Sequence, residues 1–127
     1  MGNFRTGVEK TPHLALNLNK GRIQISGRST MKYPHEFYPS VIFLLEEYCN
    51  NPSLETTFVI DLEYYNTLSS RYLLKMVELI SRINLKRNHS ARIDWHYDPD
   101  DDGIAEDIEI FSNIIQFRIN ACAYELA

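Results

Sequence analysis

Three hydroxyls, Thr67, Ser69 and Ser70, follow Asn66 at the point where an apolar run of strand character gives way, within three residues, to a helical pattern. Asn, Ser and Thr side chains at a helix start accept hydrogen bonds from its free N–H groups, so this stretch supplies several possible caps. The same hydroxyls can carry a phosphate, because the positive end of the helix dipole favours a dianion. Cap and phosphoacceptor both remain open on these residues alone. Asp61 and Glu63 alternate on one side of the preceding strand and read either as an acid/base pair or as the wet side of an edge strand. Asp98, Asp100, Asp102, Gly103 and Glu109 fit the spacing of a calcium loop, whose oxygens could encircle the ion. The competing reading is an acidic loop whose Glu106, Asp107 and Glu109 complement the start of a helix. Nucleophile elbows, phosphate-cradling Gly-rich loops and His-Glu-x-x-His or Cys-x-x-Cys motifs are absent, and His13, His35, His89 and His96 show no ligand spacing.

The elements that must position these groups follow from periodicity. Leu14, Leu16 and Leu18, then Ile23 and Ile25 after Asn19-Lys20-Gly21, alternate as the two strands of a hairpin. Gly27 to Pro34 reads as a loop. Phe37, Val41, Leu44, Leu45 and Tyr48 form one helical stripe with Pro39 in the first turn, and Asn51-Pro52 stops it. Phe58, Ile60, Leu62 and Tyr64 alternate with Val59, Asp61 and Glu63; Leu73, Met76, Val77, Ile80 and Ile83 then predict a helix from about Thr67 to Lys86. A strand over Ala91–Tyr97, a short helix through Ile104, Ile108 and Phe111, and a strand through Ile115, Phe117, Ile119 and Ala121 complete the chain. The expected fold class is α/β (α+β), a mixed five-stranded sheet with three helices mainly on one face, because strict alternation implies a second face that is polar. The strand and helix at the hydroxyl cluster, with the next strand, form a right-handed parallel crossover.

At 127 residues the chain is expected to hold one domain, residues 13–127, behind a loose arm at residues 1–12. A net charge of -4 argues against nucleic-acid binding. Six Lys/Arg against one acidic residue lie between Arg71 and Arg92, and eight acidic residues with no Lys or Arg lie between Asp94 and Glu109. Arg82, Lys86 and Arg87 would complement the end of the second helix. Cys49 and Cys122 are too few for a disulfide framework and read as buried thiols in a reducing compartment. No run suits a membrane span or a signal peptide, so the expected location is cytoplasmic, with no membrane partner. Residues 1–6 fit a myristoylation pattern, but that pattern is short.

Four segments together resemble one family: LNLNKGRIQISGRS at Leu16–Ser29, EFYP at Glu36–Pro39, LEYYNT at Leu62–Thr67 with Ser69 and Ser70, and WHY at Trp95–Tyr97 with its acidic tail. The chain resembles the SiaC-type bacterial regulatory phosphoproteins, whose fold is similar to that of the STAS domains of anti-sigma factor antagonists. The resemblance implies phosphorylation of Thr67 by a dedicated serine/threonine kinase, removal by a PP2C-type phosphatase, and activation of a diguanylate cyclase by the unphosphorylated form. It departs at Leu68, where a small polar residue is expected. It also accounts for Asp98 to Asp102 without calcium. The expected function is a binding switch in c-di-GMP signalling, with no catalytic activity and no cofactor, in which Tyr64, Tyr65, Asn66, Leu68, Ser69, Ser70 and Arg71 surround the phosphosite. The alternatives are an anti-sigma factor antagonist and a calcium-binding module.

Overall fold

The computed structural model describes residues 10–125. The pattern at residues 1–6 and most of the expected arm lie outside them; at the start of the described chain the Lys10 carbonyl accepts a hydrogen bond from Thr30 N at 2.8 Å. Strands β1 (His13–Asn17) and β2 (Arg22–Ser29) form the hairpin. They are joined by a single 3-10 turn at Leu18–Lys20. Gly21 must close that turn: its φ is +67°, and a Cβ there would meet the Glu55 carbonyl oxygen at 2.1 Å. Helix α1 (Tyr38–Asn50) carries Pro39 in its first turn, where no N–H is needed. There follow β3 (Glu55–Tyr65), α2 (Thr67–Ser81), β4 (Ser90–Tyr97), α3 (Asp102–Ile115) and β5 (Asn120–Ala123).

The sheet order is β1-β2-β3-β4-β5, with β1 antiparallel to β2 and the other neighbours parallel. Each helix connects adjacent parallel strands and every step moves the same way across the sheet. Right-handed crossovers therefore put all three helices on one face. Ile23, Ile25, Phe58, Ile60, Leu62, Ile93 and Trp95 fill that face beneath Leu45, Leu73, Met76, Val77, Ile80, Ile108 and Phe111, all buried. Each such side chain contributes about 1.5–3 kcal/mol by leaving water. The opposite face carries Gln24, Thr57, Asp61, Asp94, His96 and Cys122.

Several expectations change. Leu18, expected in the first strand, falls in the 3-10 turn, and Gly27, Arg28 and Ser29, expected as loop, complete β2 through pairing with Leu62, Tyr64 and Tyr65. The second helix ends at Ser81 and a 3-10 turn takes Arg82–Leu85. Asn84 explains the early stop: its side chain exchanges two hydrogen bonds with the Ala91 backbone, at 2.9 and 3.2 Å, and holds the chain at the start of β4. Arg82 alone of the three expected cations reaches the helix end, paired with Glu78 at 3.4 Å. Ile115 and Phe117 are not strand residues. Helix α3 runs through Ile115, Gln116 turns left-handed at φ 54°, and Ser112 takes the Phe117 and Ile119 N–H groups, so β5 begins only at Asn120. Their alternation arises because both stay partly buried against the core while the chain leaves the helix. Finally, β3 is the central strand, so Asp61 lies on the polar face of the middle of the sheet and not on an edge.

Candidate functional site

Strands β2, β3 and β4 run to Ser29, Tyr65 and Tyr97 at the carboxyl end of the parallel sheet, outside which ligands and partners usually bind. Near that end β3 departs from its alternation. Gly27 pairs with Leu62 and Arg28 with Tyr64, so Glu63 is an extra residue with no partner in β2, a β-bulge. The bulge reverses the facing of the two tyrosines. Tyr64, expected on the apolar side with Leu62, is 49% exposed, and Tyr65 turns inward instead. The Tyr65 hydroxyl donates to Asp107 Oδ2 at 2.6 Å, and its ring lies 5.9 Å from that of the fully buried Trp95, which in turn packs 5.5 Å from Phe111. Burial raises the Tyr65 hydroxyl far above its ordinary pKa, and the Asp107 carboxylate adds to the effect.

The next residue caps α2. Asn66 has extended backbone geometry, and its Oδ1 accepts from Ser69 N at 2.9 Å. Its own N–H donates to Ser29 O at 3.0 Å and its Nδ2 to Met31 O at 3.0 Å, which pins the turn to the end of β2. Ser69 is completely buried: its hydroxyl donates to Ser29 O at 3.2 Å and accepts from Ser29 Oγ at 2.8 Å, and Ser29 Oγ meets the Tyr38 hydroxyl at 2.6 Å. The Ser70 hydroxyl donates to Thr67 O at 2.7 Å. Of the three clustered hydroxyls, Ser69 is thus committed to the interior, while Thr67 is exposed at the first helical position and the capping role belongs to Asn66.

Around Thr67 the surface is partly apolar. Leu68 and Tyr64 are each 49% exposed, and Tyr33 on the adjacent loop is 51% exposed. Arg28 donates to Glu63 at 2.7 Å and lies over the Tyr64 ring at 5.5 Å, while Lys32 lies over Tyr33 at 5.4 Å. Arg71, exposed, stands one turn beyond Thr67 on α2. The structure therefore leaves Tyr64, Thr67, Leu68 and Arg71 outward, with Ser70 half-buried beside them. Tyr65, Asn66 and Ser69 are supports.

The acidic loop does not assemble a calcium cage. Asp98 Oδ1 accepts from Asp100 N at 2.8 Å, and Asp101 Oδ1 caps α3 by accepting from Ile104 N at 3.0 Å. Because α3 already begins at Asp102, Glu109 is carried seven residues along it, roughly 10 Å from the loop. Glu109 faces the hollow between α3 and β5, whereas Asp98, Asp100 and Asp102 line a separate one with Leu62 and Tyr124. Among the described residues no group of three or more His, Cys, Asp or Glu is arranged to hold a metal.

The polar face gathers groups the sequence did not juxtapose. Glu63, engaged by Arg28, and Asp61, which accepts from the Tyr124 hydroxyl, are both occupied. Burial and then Asp61 push Tyr124 up to about 12. His96 and Cys122 are neighbours across β4 and β5, the arrangement of a nucleophilic dyad. Burial raises the Cys122 thiol, however, and Asp94 raises it further, which keeps it protonated. Burial also works against the Asp94 charge, but hydrogen bonds from Arg92 at 2.7 Å and Asn120 at 2.9 Å outweigh it and hold its pKa below the ordinary value. Register pairing was the only signal for these contacts. Among the described residues no helix is long and apolar enough to cross a membrane.

Residues 5–124 match the family described as SiaC family regulatory phosphoprotein. An uncharacterised protein of Pseudomonas aeruginosa strain UCBPP-PA14 is 23% identical over 119 residues, 94% of each chain. Apo-SiaC from Pseudomonas aeruginosa superposes with a TM-score of 0.78 at 22% identity, covering 97% of this chain and 100% of that one. The structure of the diguanylate cyclase SiaD of that organism in complex with its activator SiaC matches with a TM-score of 0.80 at 23% identity, covering 93% and 96%. At these identities the structural matches establish the mixed five-stranded fold.

Proposed function

Since the chain belongs to the SiaC family of regulatory phosphoproteins, we propose that it is a protein-binding switch whose state is set by phosphate on Thr67 and whose unmodified form binds and activates a diguanylate cyclase. The observation that carries this reading is the division of labour at the start of α2: Asn66 caps the helix and Ser69 is sealed inside, so Thr67 is an exposed hydroxyl free of that structural duty. A serine/threonine kinase would transfer the γ-phosphoryl group of ATP to Thr67 Oγ1, with ADP leaving. A PP2C-type phosphatase would return the group to water as inorganic phosphate. The cyclase assignment draws on a relative of the same fold, the SiaC that activates SiaD.

The physics of the switch is local. Without phosphate, Tyr64, Leu68 and Thr67 offer an apolar, weakly polar patch that loses little on desolvation. Phosphorylation adds a charge approaching -2. The N-terminal dipole of α2 and Arg71, four residues on, stabilise that charge in the free protein, so the modification does not unfold the domain. Desolvating it against a partner without a cation costs on the order of several kcal/mol, enough to abolish a micromolar complex. Leu68, which departs from the family pattern, widens the apolar patch and would tune the choice of cyclase.

The test uses purified Thr67→Ala and Thr67→Asp proteins as baits for the cyclase of the host cell, with c-di-GMP synthesis from GTP as the assay. Thr67→Ala should bind and activate, and Thr67→Asp should do neither. Equal behaviour of the two, or capture of an ATP-binding anti-sigma factor in place of a cyclase, rejects the assignment. Peptide mapping after incubation with ATP and host lysate should place the phosphate on Thr67.

A further inference from the structure

We propose that Asp107, on α3, is a positioning residue for the Thr67 switch, acting through the Tyr65 hydroxyl. This deepens the reading of Thr67 given above and rests on it. The turn that carries Thr67 is held on two sides. Toward β2 it has Asn66 N and Nδ2 on Ser29 O and Met31 O, with the Ser69 hydroxyl beneath. Toward α3, among the described residues, it has one side-chain hydrogen bond, from Tyr65 to Asp107 at 2.6 Å.

The hydrogen bonds to Ser29 and Met31 all lie at the end of β2, and none of them reaches α3. Tyr65 makes that connection. It directly precedes the cap residue, its ring is packed on Trp95, and its hydroxyl is fixed by a carboxylate on a different helix. A hydrogen bond to a carboxylate is roughly twice as strong as one between neutral groups, so the anchor is a firm one. The Glu63 bulge exists in the same account: without that extra residue Tyr64 would face inward and Tyr65 outward, and the turn would have no link to α3. The position of α3 and the presentation of Thr67 are thereby linked through one side-chain hydrogen bond.

Amide hydrogen exchange of the full chain tests the link without any partner. The Ser69 and Ser70 amides report the turn, because they donate to Asn66 Oδ1 and Asn66 O. Tyr65→Phe keeps the ring and loses the hydroxyl; it should speed exchange at these amides by about 10-fold while the centre of α1 is unchanged. Asp107→Ala should do the same, and Asp107→Asn, which retains an acceptor oxygen, should restore slow exchange. In the Thr67→Ala background Tyr65→Phe should weaken cyclase binding by about 10-fold. Unchanged exchange at Ser69 and Ser70, or a rise spread evenly over the chain, overturns the proposal, since a purely structural bond would act on global stability. If the exchange result holds but Thr67→Ala and Thr67→Asp bind a cyclase alike, the switch reading fails and Asp107's role in it falls too.

Discussion

Two strand-to-helix junctions stand side by side at the carboxyl ends of β3 and β4 and share one kind of capping hydrogen bond, yet a single residue joins β3 to α2 where a loop joins β4 to α3, and they differ in what they can accept. At β3–α2, Asn66 takes the amide of Ser69; at β4–α3, Asp101 takes the amide of Ile104. Both caps satisfy the same orphan donor in the same way. The first junction is neutral, with no acidic residue in the first turn of α2, whereas the second carries Asp98, Asp100, Asp101 and Asp102 around the start of α3. A helix start without negative charge has its dipole still unanswered and gains by acquiring a phosphate; one already crowded with carboxylates would only add repulsion. Both sites share the capping hydrogen bond, and the absence of acidic residues in the first turn of α2 fits that junction to the proposed switch.

The comparison can be broken most directly by charge. Thr67→Asp should lower cyclase affinity at least about 100-fold relative to Thr67→Ala, about 2.7 kcal/mol by titration calorimetry, and a smaller gap would mean that the neutral junction is not the docking surface. Next in size is the buried hydroxyl pair, which only the neutral junction has. Ser69→Val leaves the Ser29 hydroxyl without that partner inside the protein and should cost about 2 kcal/mol in urea denaturation. The bond that links the first junction to α3 has a pH signature. Below the unfolded tyrosine value of 10.0 both states hold the Tyr65 proton; above it the unfolded chain releases the proton while the folded chain, with its raised pKa, retains it. Stability should therefore fall as pH rises past about 10, and Tyr65→Phe should flatten that fall by up to about 1.4 kcal/mol per pH unit. Smallest are the caps themselves. Asn66→Ala and Asp101→Ala should each cost about 1 kcal/mol of stability, and matching values would show that the two capping bonds contribute alike in spite of the different connectors.

Much of this arrangement is legible in the sequence. The switch from a period of two to a period near three and a half places the junction at Asn66 and Thr67, Pro39 and Asn51 bracket α1 correctly, and strict alternation announces a sheet with one polar face. The facing of Tyr64 and Tyr65 is not legible, because the Glu63 bulge depends on how β2 and β3 align and not on the residues of β3 alone. Which of Asn66, Thr67 and Ser69 caps, which is buried and which is free also depends on where Ser29 and Tyr38 arrive, 28 to 40 residues earlier in the chain than these three. The calcium spacing misleads for a related reason. Spacing assumes a loop that continues to Glu109, whereas Asp101 starts a helix within it. At the other end, the polar side chain of Ser112 captures Ile119 N and prolongs the turn where alternation alone implies a strand.

Trp95 is the sole tryptophan of the chain, and it lies directly beneath the inward tyrosine, between that ring and Phe111 on α3. Among the described residues its buried indole N–H has no hydrogen-bond partner, and the Tyr65 and Phe111 rings lie 5.9 and 5.5 Å from its own. The lone indole fluorophore of the chain thus sits under the turn that carries Thr67. A shift of that turn relative to α3 that moves the Tyr65 ring is therefore expected to change the ultraviolet emission of the unlabelled protein, an optical gauge built into the molecule.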